Sequence, residues 1–307
     1  MINVVTVHWR STRWIEPQLR YLERNLGQPY RVFASLNGIE DEAIRARFHV
    51  ALDLPGTHAE KLNELAGIVR LEAAPEEGLL FLDGDAFPVR PCGQWLDRLV
   101  ASHPLAAVRR DENLGDQQPH PCFCLTTVGF WSQIDGDWRE GGTWVNAAGQ
   151  TTTDVGGTLL HQLADRGIEW RPLLRTNTHN PDPLWFGVYD HRIYHHGAGF
   201  RTRTSRLSWE HEAEARQRET VPLRGSSLEG LAIRAVREPG RLANLRPEHL
   251  ELIRRGARIS VAKQRRAWSL RQRARLAARN DRLEGAIYGQ LLDDPGFFRQ
   301  FDAGLAE

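Results

Sequence analysis

Gly78-Leu79-Leu80-Phe81-Leu82-Asp83-Gly84-Asp85-Ala86-Phe87-Pro88-Val89 is the stretch that decides how this chain is read. An apolar run ends abruptly in two aspartates separated by one glycine. The run has the length and composition of a buried strand. The end of such a strand is where an open α/β sheet presents its ligand-binding groups. Two carboxylates one residue apart, on a turn that glycine keeps uncrowded, can hold a hard divalent cation and the diphosphate bound to it. Burying the pair without a cation or hydrogen-bond donors would be costly. Taken alone, the same residues also read as a strand followed by an acidic turn.

Upstream of this stretch, strand and helix signals alternate at short intervals. The pattern predicts strands over 2–7, 30–36, 49–54 and 79–82, with helices over 11–25, 40–48 and 58–72 between them. Ser11 is the expected cap of the first helix, and Leu19, Leu22 and Leu26 form its apolar face. Such alternation implies right-handed crossovers and a mostly parallel sheet. Beyond Gly93 the pattern loosens. A helix over 94–101, a short strand over 105–108, a polar proline-bearing loop over 111–121 and a strand over 122–131 are expected. Residues 135–153 read as irregular, and 154–166 as a helix that starts at Asp154 and stops at Gly167. Strands over 170–174 and 186–196 complete the series.

The chain has 307 residues, enough for one α/β domain of about 200–250 residues plus an appendage. A formal net charge of +1 makes the whole molecule no obvious polyanion binder. Nothing resembles a nucleic-acid-binding motif, and no nucleic-acid partner is expected. Cys92, Cys122 and Cys124 suggest neither a disulfide framework nor a zinc site. The Cys-Phe-Cys pair reads as strand core. The apolar N-terminal run is short and lacks a basic leader, and no stretch approaches the length of a membrane span. A cytoplasmic protein is the expectation. After about residue 205 the chain turns helical and arginine-rich, and 254–279 contains no acidic residue. Such a segment can lie peripherally on the anionic inner face of a membrane, or be a solvated helix packed on the main domain.

Four features recur together: Thr6-Val7-His8-Trp9 at the end of the first strand, Lys61-Leu62-Asn63 in the helix before the fourth, Asp83-Gly84-Asp85 after it, and Tyr194-His195-His196-Gly197-Ala198-Gly199-Phe200-Arg201 after a late strand. In this order and spacing, over roughly residues 1–203, the chain resembles the GT-A fold glycosyltransferases, which use nucleotide-diphosphate sugars. The resemblance implies an α/β, GT-A-like mixed and mostly parallel sheet flanked by helices over 1–203, with a helical extension over 204–307. It implies a Mn²⁺ or Mg²⁺ cofactor held by Asp85, with Asp83 on the metal or the ribose, and by His195 or His196. Adjacent strand residues point to opposite faces, so one of the two histidines is expected to bind, with His195 favoured. An imidazole among carboxylates suits Mn²⁺ better than Mg²⁺.

By the same resemblance, Thr6, His8 and Asn37 meet the base and ribose, and Lys61 and Asn63 close over the nucleotide. Lys61 and Lys263 are the two lysines of the chain, arginine supplying the remaining positive charge. Arg201, with Arg203 next to it, is placed to grip the diphosphate. Asp154 is the candidate general base toward an acceptor hydroxyl, or simply a helix cap. Thr153 stands where the family usually has a second acid, which leaves inversion open. Trp131, Trp144 and Trp185 offer apolar faces to a sugar or fill the core. The expected partners are a nucleotide-sugar donor, UDP-sugar first, and a carbohydrate, glycolipid or small-molecule acceptor. A sugar nucleotidyltransferase is the alternative, though His8-Trp9-Arg10-Ser11-Thr12-Arg13 lacks the glycines such enzymes carry after the first strand. A haloacid-dehalogenase-type phosphatase would place its nucleophile at the first strand rather than the fourth. The non-enzymatic alternative is a scaffold of the same fold.

Overall fold

The computed structural model describes residues 1–147, 149–177, 187–197, 285 and 288–292. Met1–Phe200 and Gly289–Glu307 belong to one compact unit and Arg201–Tyr288 to another. The sheets and their flanking helices belong to the first unit. Arg201, Arg203, Trp185 and nearly all of the arginine-rich extension lie outside the described residues. Among the described residues no helix is long and apolar enough to cross a membrane.

The chain runs β1 (Ile2–Trp9), α1 (Ile15–Asn25), β2 (Tyr30–Asn37), α2 (Glu42–Arg45), β3 (Val50–Leu52), α3 (His58–Glu72) and β4 (Gly78–Asp83). It continues through β5 (Ala86–Pro88), α4 (Gly93–Ser102), β6 (Leu105–Val108), β7 (His120–Thr127) and α5 (Val128–Ile134). Then come β8 (Trp144–Val145), β9 (Thr151–Thr152), α6 (Gly157–Asp165), β10 (Arg171–Leu173), β11 (Gly187–Tyr189) and β12 (Ile193–His195). Seven strands form one sheet in the order β10-β6-β7-β4-β1-β2-β3. β7 is antiparallel to both of its neighbours and every other pair is parallel. This is the mixed, mostly parallel α/β sheet expected from the alternation of strands and helices.

Period-two alternation splits the core between the two faces of the sheet. Val4, Leu80 and Leu82 pack with Ile15, Leu19 and Leu22 of α1 and with Leu96 of α4. Val5, Val7, Leu79 and Phe81 pack with Leu62 and Leu65 of α3, Trp131 of α5 and Leu159 of α6. A second, three-stranded sheet, β11-β12-β5, is antiparallel. The sequence did not announce β5: it is the three residues after the aspartate turn, recruited by β12 from more than a hundred residues away.

Several boundaries differ from expectation. α1 begins at Ile15, not Ser11, because Arg10 takes a left-handed φ of 53° and the Ser11 hydroxyl accepts from the Arg13 amide instead of capping a helix. α2 is a single turn capped by Asp41. The strand expected over 122–131 stops at Thr127, whose hydroxyl accepts from the Phe130 amide. Val128, Trp131 and Ile134 then face the core at helical spacing despite their strand propensity. Residues 187–195 form a hairpin rather than one strand, turning through left-handed Asp190 and His191. α6 starts three residues after Asp154, at a left-handed Gly156 (φ 91°) where any side chain would collide with the Pro119 carbonyl. A bulge pairs Val108 with His120 although Ala107 pairs with Cys124. Cys122 and Cys124 are accordingly both buried, but in the cores of opposite faces.

Candidate metal and nucleotide site

The aspartate turn lies at the carboxyl end of β4, between β1 and β7. Asp83 is the last residue of β4, on the face that carries Leu79 and Phe81 and therefore looks toward α3. The chain crosses from the large sheet to the small one within Gly84-Asp85. Pairing of Ala86 with His195, and a 3.0 Å hydrogen bond from the His196 amide to the Asp85 carbonyl, bring the end of β12 alongside. His195 Nε2 consequently stands 3.5 Å from Asp83 Oδ2 and 3.6 Å from Asp85 Oδ1. Asp83, Asp85 and His195 each offer a ligand atom, all within 4.8 Å of one another. Two carboxylates and an imidazole in that space fit a divalent ion of the Mn²⁺ or Mg²⁺ type.

His196 faces the other way, as strand alternation requires. Its Nδ1 shares a 2.8 Å hydrogen bond with the Tyr194 hydroxyl, and its ring lies 4.5 Å from that of Trp14. Three further residues, which the sequence pattern did not point to, surround the turn. His58, the first residue of α3, donates from Nε2 to Asp83 Oδ1 at 3.0 Å. His120, delivered by the bulge in β7, lies with its ring 5.7 Å from that of His195. Gln18 of α1 is fully buried and donates from Nε2 to the carbonyls of Asp83 and Ala86, each at 2.9 Å.

Burial by itself would raise the Asp83 carboxyl. The hydrogen bond from His58, with the neighbouring imidazoles behind it, outweighs burial, and the group is held well below the usual carboxylate range. Burial, followed by the nearby charge of Arg110, keeps the His120 imidazole neutral far below its usual value. Its Nδ1 accepts from the Cys122 amide at 3.1 Å, so the ring proton sits on Nε2.

The other expected site residues divide into two groups. Thr6 and His8, on the α1 face of β1, are fully buried and both donate to Gln18 Oε1, at 3.2 and 3.0 Å. Burial pushes the His8 imidazole down to about 4 against the raising effect of that hydrogen bond. Asn37 closes β2, accepting from Ser35 Oγ and donating to the Leu54 carbonyl. Lys61 is buried with its ammonium 4.3 Å from the ring centre of Trp9, which is 41% exposed at the end of β1. Burial lowers the Lys61 ammonium, while Asp53 and Glu64 raise it. Asn63 is used by the loop before α6: it donates to Asp137 Oδ1 and accepts from the Trp138 amide.

Asp154 belongs to a second cluster. Arg110 Nη2 reaches Asp116 Oδ2 at 2.9 Å and Asp154 Oδ2 at 3.1 Å. The Asp154 side chain stays 44% exposed, and its Oδ1 accepts from the Val155 amide. Asp116 also lines a cleft of about 550 Å³, with Arg109, Asp111, Gln117 and Trp170. Trp131 and Trp144 are buried, Trp131 against Phe81 and Trp138.

No protein-family model matches the chain, and none of the curated proteins does. Among solved structures, Staphylococcus aureus TarS 1–349 in complex with UDP-GlcNAc is 13% identical over 45% of this chain and 48% of its own, with a TM-score of 0.33. The glycosyltransferase GlyE of Streptococcus pneumoniae is 15% identical over 44% of this chain and 36% of its own, with a TM-score of 0.34. A galactosyltransferase, LgtC, in complex with donor and acceptor sugar analogues is 11% identical over 43% of this chain and 59% of its own, with a TM-score of 0.32. The chain thus spans about half the length of the TarS fragment. Likenesses this distant add nothing to what the geometry argues.

Proposed function

We propose that this chain is a metal-assisted glycosyltransferase that moves a sugar from a nucleotide-diphosphate donor, UDP-sugar first, to a hydroxyl of a saccharide, glycolipid or small-molecule acceptor. The observation that carries the reading is the convergence of Asp83, Asp85 and His195 at the carboxyl end of β4. A divalent ion held there supplies neutralisation of the charge that develops on a departing nucleoside diphosphate. The side chains do the remainder. Asp85 and His195 bind the ion, with Mn²⁺ preferred over Mg²⁺ by the imidazole. Asp83, kept ionised by its histidines, binds the ion or the ribose. Asn37 and the Lys61–Trp9 pair border the nucleotide, and Arg201, outside the described residues, grips the diphosphate.

Asp154 is the acceptor-side carboxylate: exposed enough to meet a hydroxyl, oriented by Arg110, and joined through Arg110 to Asp116, which lines the cleft with Trp170. In an inverting reaction its Oδ atoms take the acceptor proton. Residues 1–203 form the catalytic part in this reading, and 204–307 an extension that contacts an anionic membrane surface.

The test is calorimetric titration with UDP and with GDP, first with Mn²⁺ and then with EDTA. Binding of UDP that disappears with EDTA is expected. Nucleotide binding indifferent to EDTA, or no binding of either nucleotide, overturns the proposal.

A further inference from the structure

Gln18 satisfies all four hydrogen-bonding positions of its amide, and every partner lies on the framework of the aspartate turn. Its Oε1 accepts from Thr6 and His8 of β1. Its Nε2 spends both protons on the carbonyls of Asp83 and Ala86, the residues on either side of Gly84-Asp85. We propose that Gln18 is the positioning residue of the metal site, fixing the span between Asp83 and Ala86 and so the separation of the two carboxylates. The inference rests on the metal reading of Asp83, Asp85 and His195.

The physical argument is one of backbone freedom. β4 ends at Asp83 and β5 begins at Ala86, so the two residues between belong to neither ladder. The Asp85 carbonyl is held by the His196 amide, and the carbonyls on both sides by one side chain. A donor shared between two carbonyls holds them at a set distance in a way that two independent donors would not. Being buried, that donor does not compete with water. Thr6 and His8 fix the amide in turn. Their contribution reaches the site through Gln18, which is where strand alternation and the helix face put them.

A purely structural role has a matched control on the same helix. Asn25 is also a buried amide of α1, and its Nδ2 donates to the Pro88 carbonyl at 2.7 Å, at the far end of β5. Four full-length proteins are compared: the natural chain, Gln18→Glu, Gln18→Met and Asn25→Leu. Gln18→Glu keeps the shape and an acceptor for Thr6 and His8 but removes the two donated protons. Gln18→Met keeps the volume and removes all four bonds. Mn²⁺ affinity is read by the loss of the free-ion electron paramagnetic resonance signal, alongside thermal unfolding.

All three variants are expected to unfold at lower temperature. Both Gln18 variants are expected to bind Mn²⁺ at least about tenfold more weakly, the scale of an outer-shell partner. Asn25→Leu is expected to stay within about twofold of the natural chain, because its carbonyl partner lies beyond the turn. Natural-chain Mn²⁺ affinity retained in the folded Gln18→Glu or Gln18→Met protein, or an equal loss in Asn25→Leu, overturns the inference and leaves the metal site standing. Absence of Mn²⁺ binding by the natural chain overturns the metal reading itself, and the inference with it.

Discussion

Two carboxylate clusters among the described residues are stabilised in opposite ways. Around the aspartate turn the partners of Asp83 are the imidazoles of His58 and His195. In the second cluster the partner of both Asp116 and Asp154 is the guanidinium of Arg110. An imidazole can be neutral, can turn a lone pair toward a cation, and can become a ligand itself. A guanidinium stays charged and offers donors only. The first cluster is therefore built to accept a cation from outside, whereas the second carries its own. In the proposed function this difference favours Asp83, Asp85 and His195 over the second cluster as the place for a cation, and Asp154 as the carboxylate proposed to face the acceptor.

The contrast can be broken most forcefully at Arg110. Its side chain is 14% exposed and that of Asp116 8%, so Arg110→Met leaves a buried carboxylate without its cation. A stability loss of about 3–5 kcal/mol is expected, measured by urea unfolding, with Mn²⁺ affinity of the folded fraction retained. A matching loss of Mn²⁺ affinity would mean that the two clusters are one site. Next in size is Asp85→Asn, which removes a proposed metal ligand. It should weaken metal-dependent nucleotide binding by about 100-fold or more, equivalent to about 2.8 kcal/mol, with the unfolding midpoint essentially unchanged. Unaltered affinity in that titration would remove Asp85 from the site.

Acid should act on the surroundings of the aspartate turn. His8 is held neutral, its imidazole pushed down to about 4 by burial despite its bond to Gln18, and His120 is depressed in the same direction. The unfolded chain gains protons on both as pH falls through about 6.5, and the folded chain does not. Stability is therefore fully present above that pH and is lost below it, by about 2 kcal/mol for His8 between pH 7 and 5, with His120 adding a loss of the same sign. Asp83, depressed from a value near 4, adds its own loss only at lower pH. Urea midpoints across that range should fall for the natural chain and fall less for His8→Gln; identical slopes would show that His8 titrates normally. The smallest expected effect sharpens the comparison. His58→Gln removes an outer partner of Asp83 and should cost about tenfold in Mn²⁺ affinity, about 1.4 kcal/mol. An effect as large as that of Asp85→Asn would make His58 a ligand in its own right.

Legibility differed between the two halves of the chain. β1 and β4 announce themselves because parallel strands buried on both faces are continuous apolar runs. α3 does so because Leu62, Leu65, Ile68 and Val69 recur at helical spacing, and the structure adds a Thr57–Glu60 capping box. The later elements are short and take their form from distant neighbours. Val128–Ile134 has strand composition, and one threonine cap and the core below turn it into a helix. Gln18 was invisible for a related reason. On an amphipathic helix read by Leu19, Leu22 and Leu26, an adjacent glutamine looks like the edge of the polar face, and only the presence of two carbonyls beneath it makes it an interior residue.

The sequence by itself determined the alternation of strands and helices, the α/β class, and the place of the aspartate turn at a strand end; a late histidine beside that turn was implied by the family resemblance. The first three follow from local periodicity, from strong start and stop signals, and from the chemistry of the residue types present. The tertiary structure alone decided that β5 and β12 form a second sheet, that His195 rather than His196 turns to the carboxylates, that His58, His120 and Gln18 complete the surroundings, and that Asp154 answers to Arg110 instead of capping α6. Each of those depends on which atoms are opposite one another across a ladder, a bulge or a helix face. Contacts between residues tens to more than a hundred positions apart leave no periodic trace in either segment.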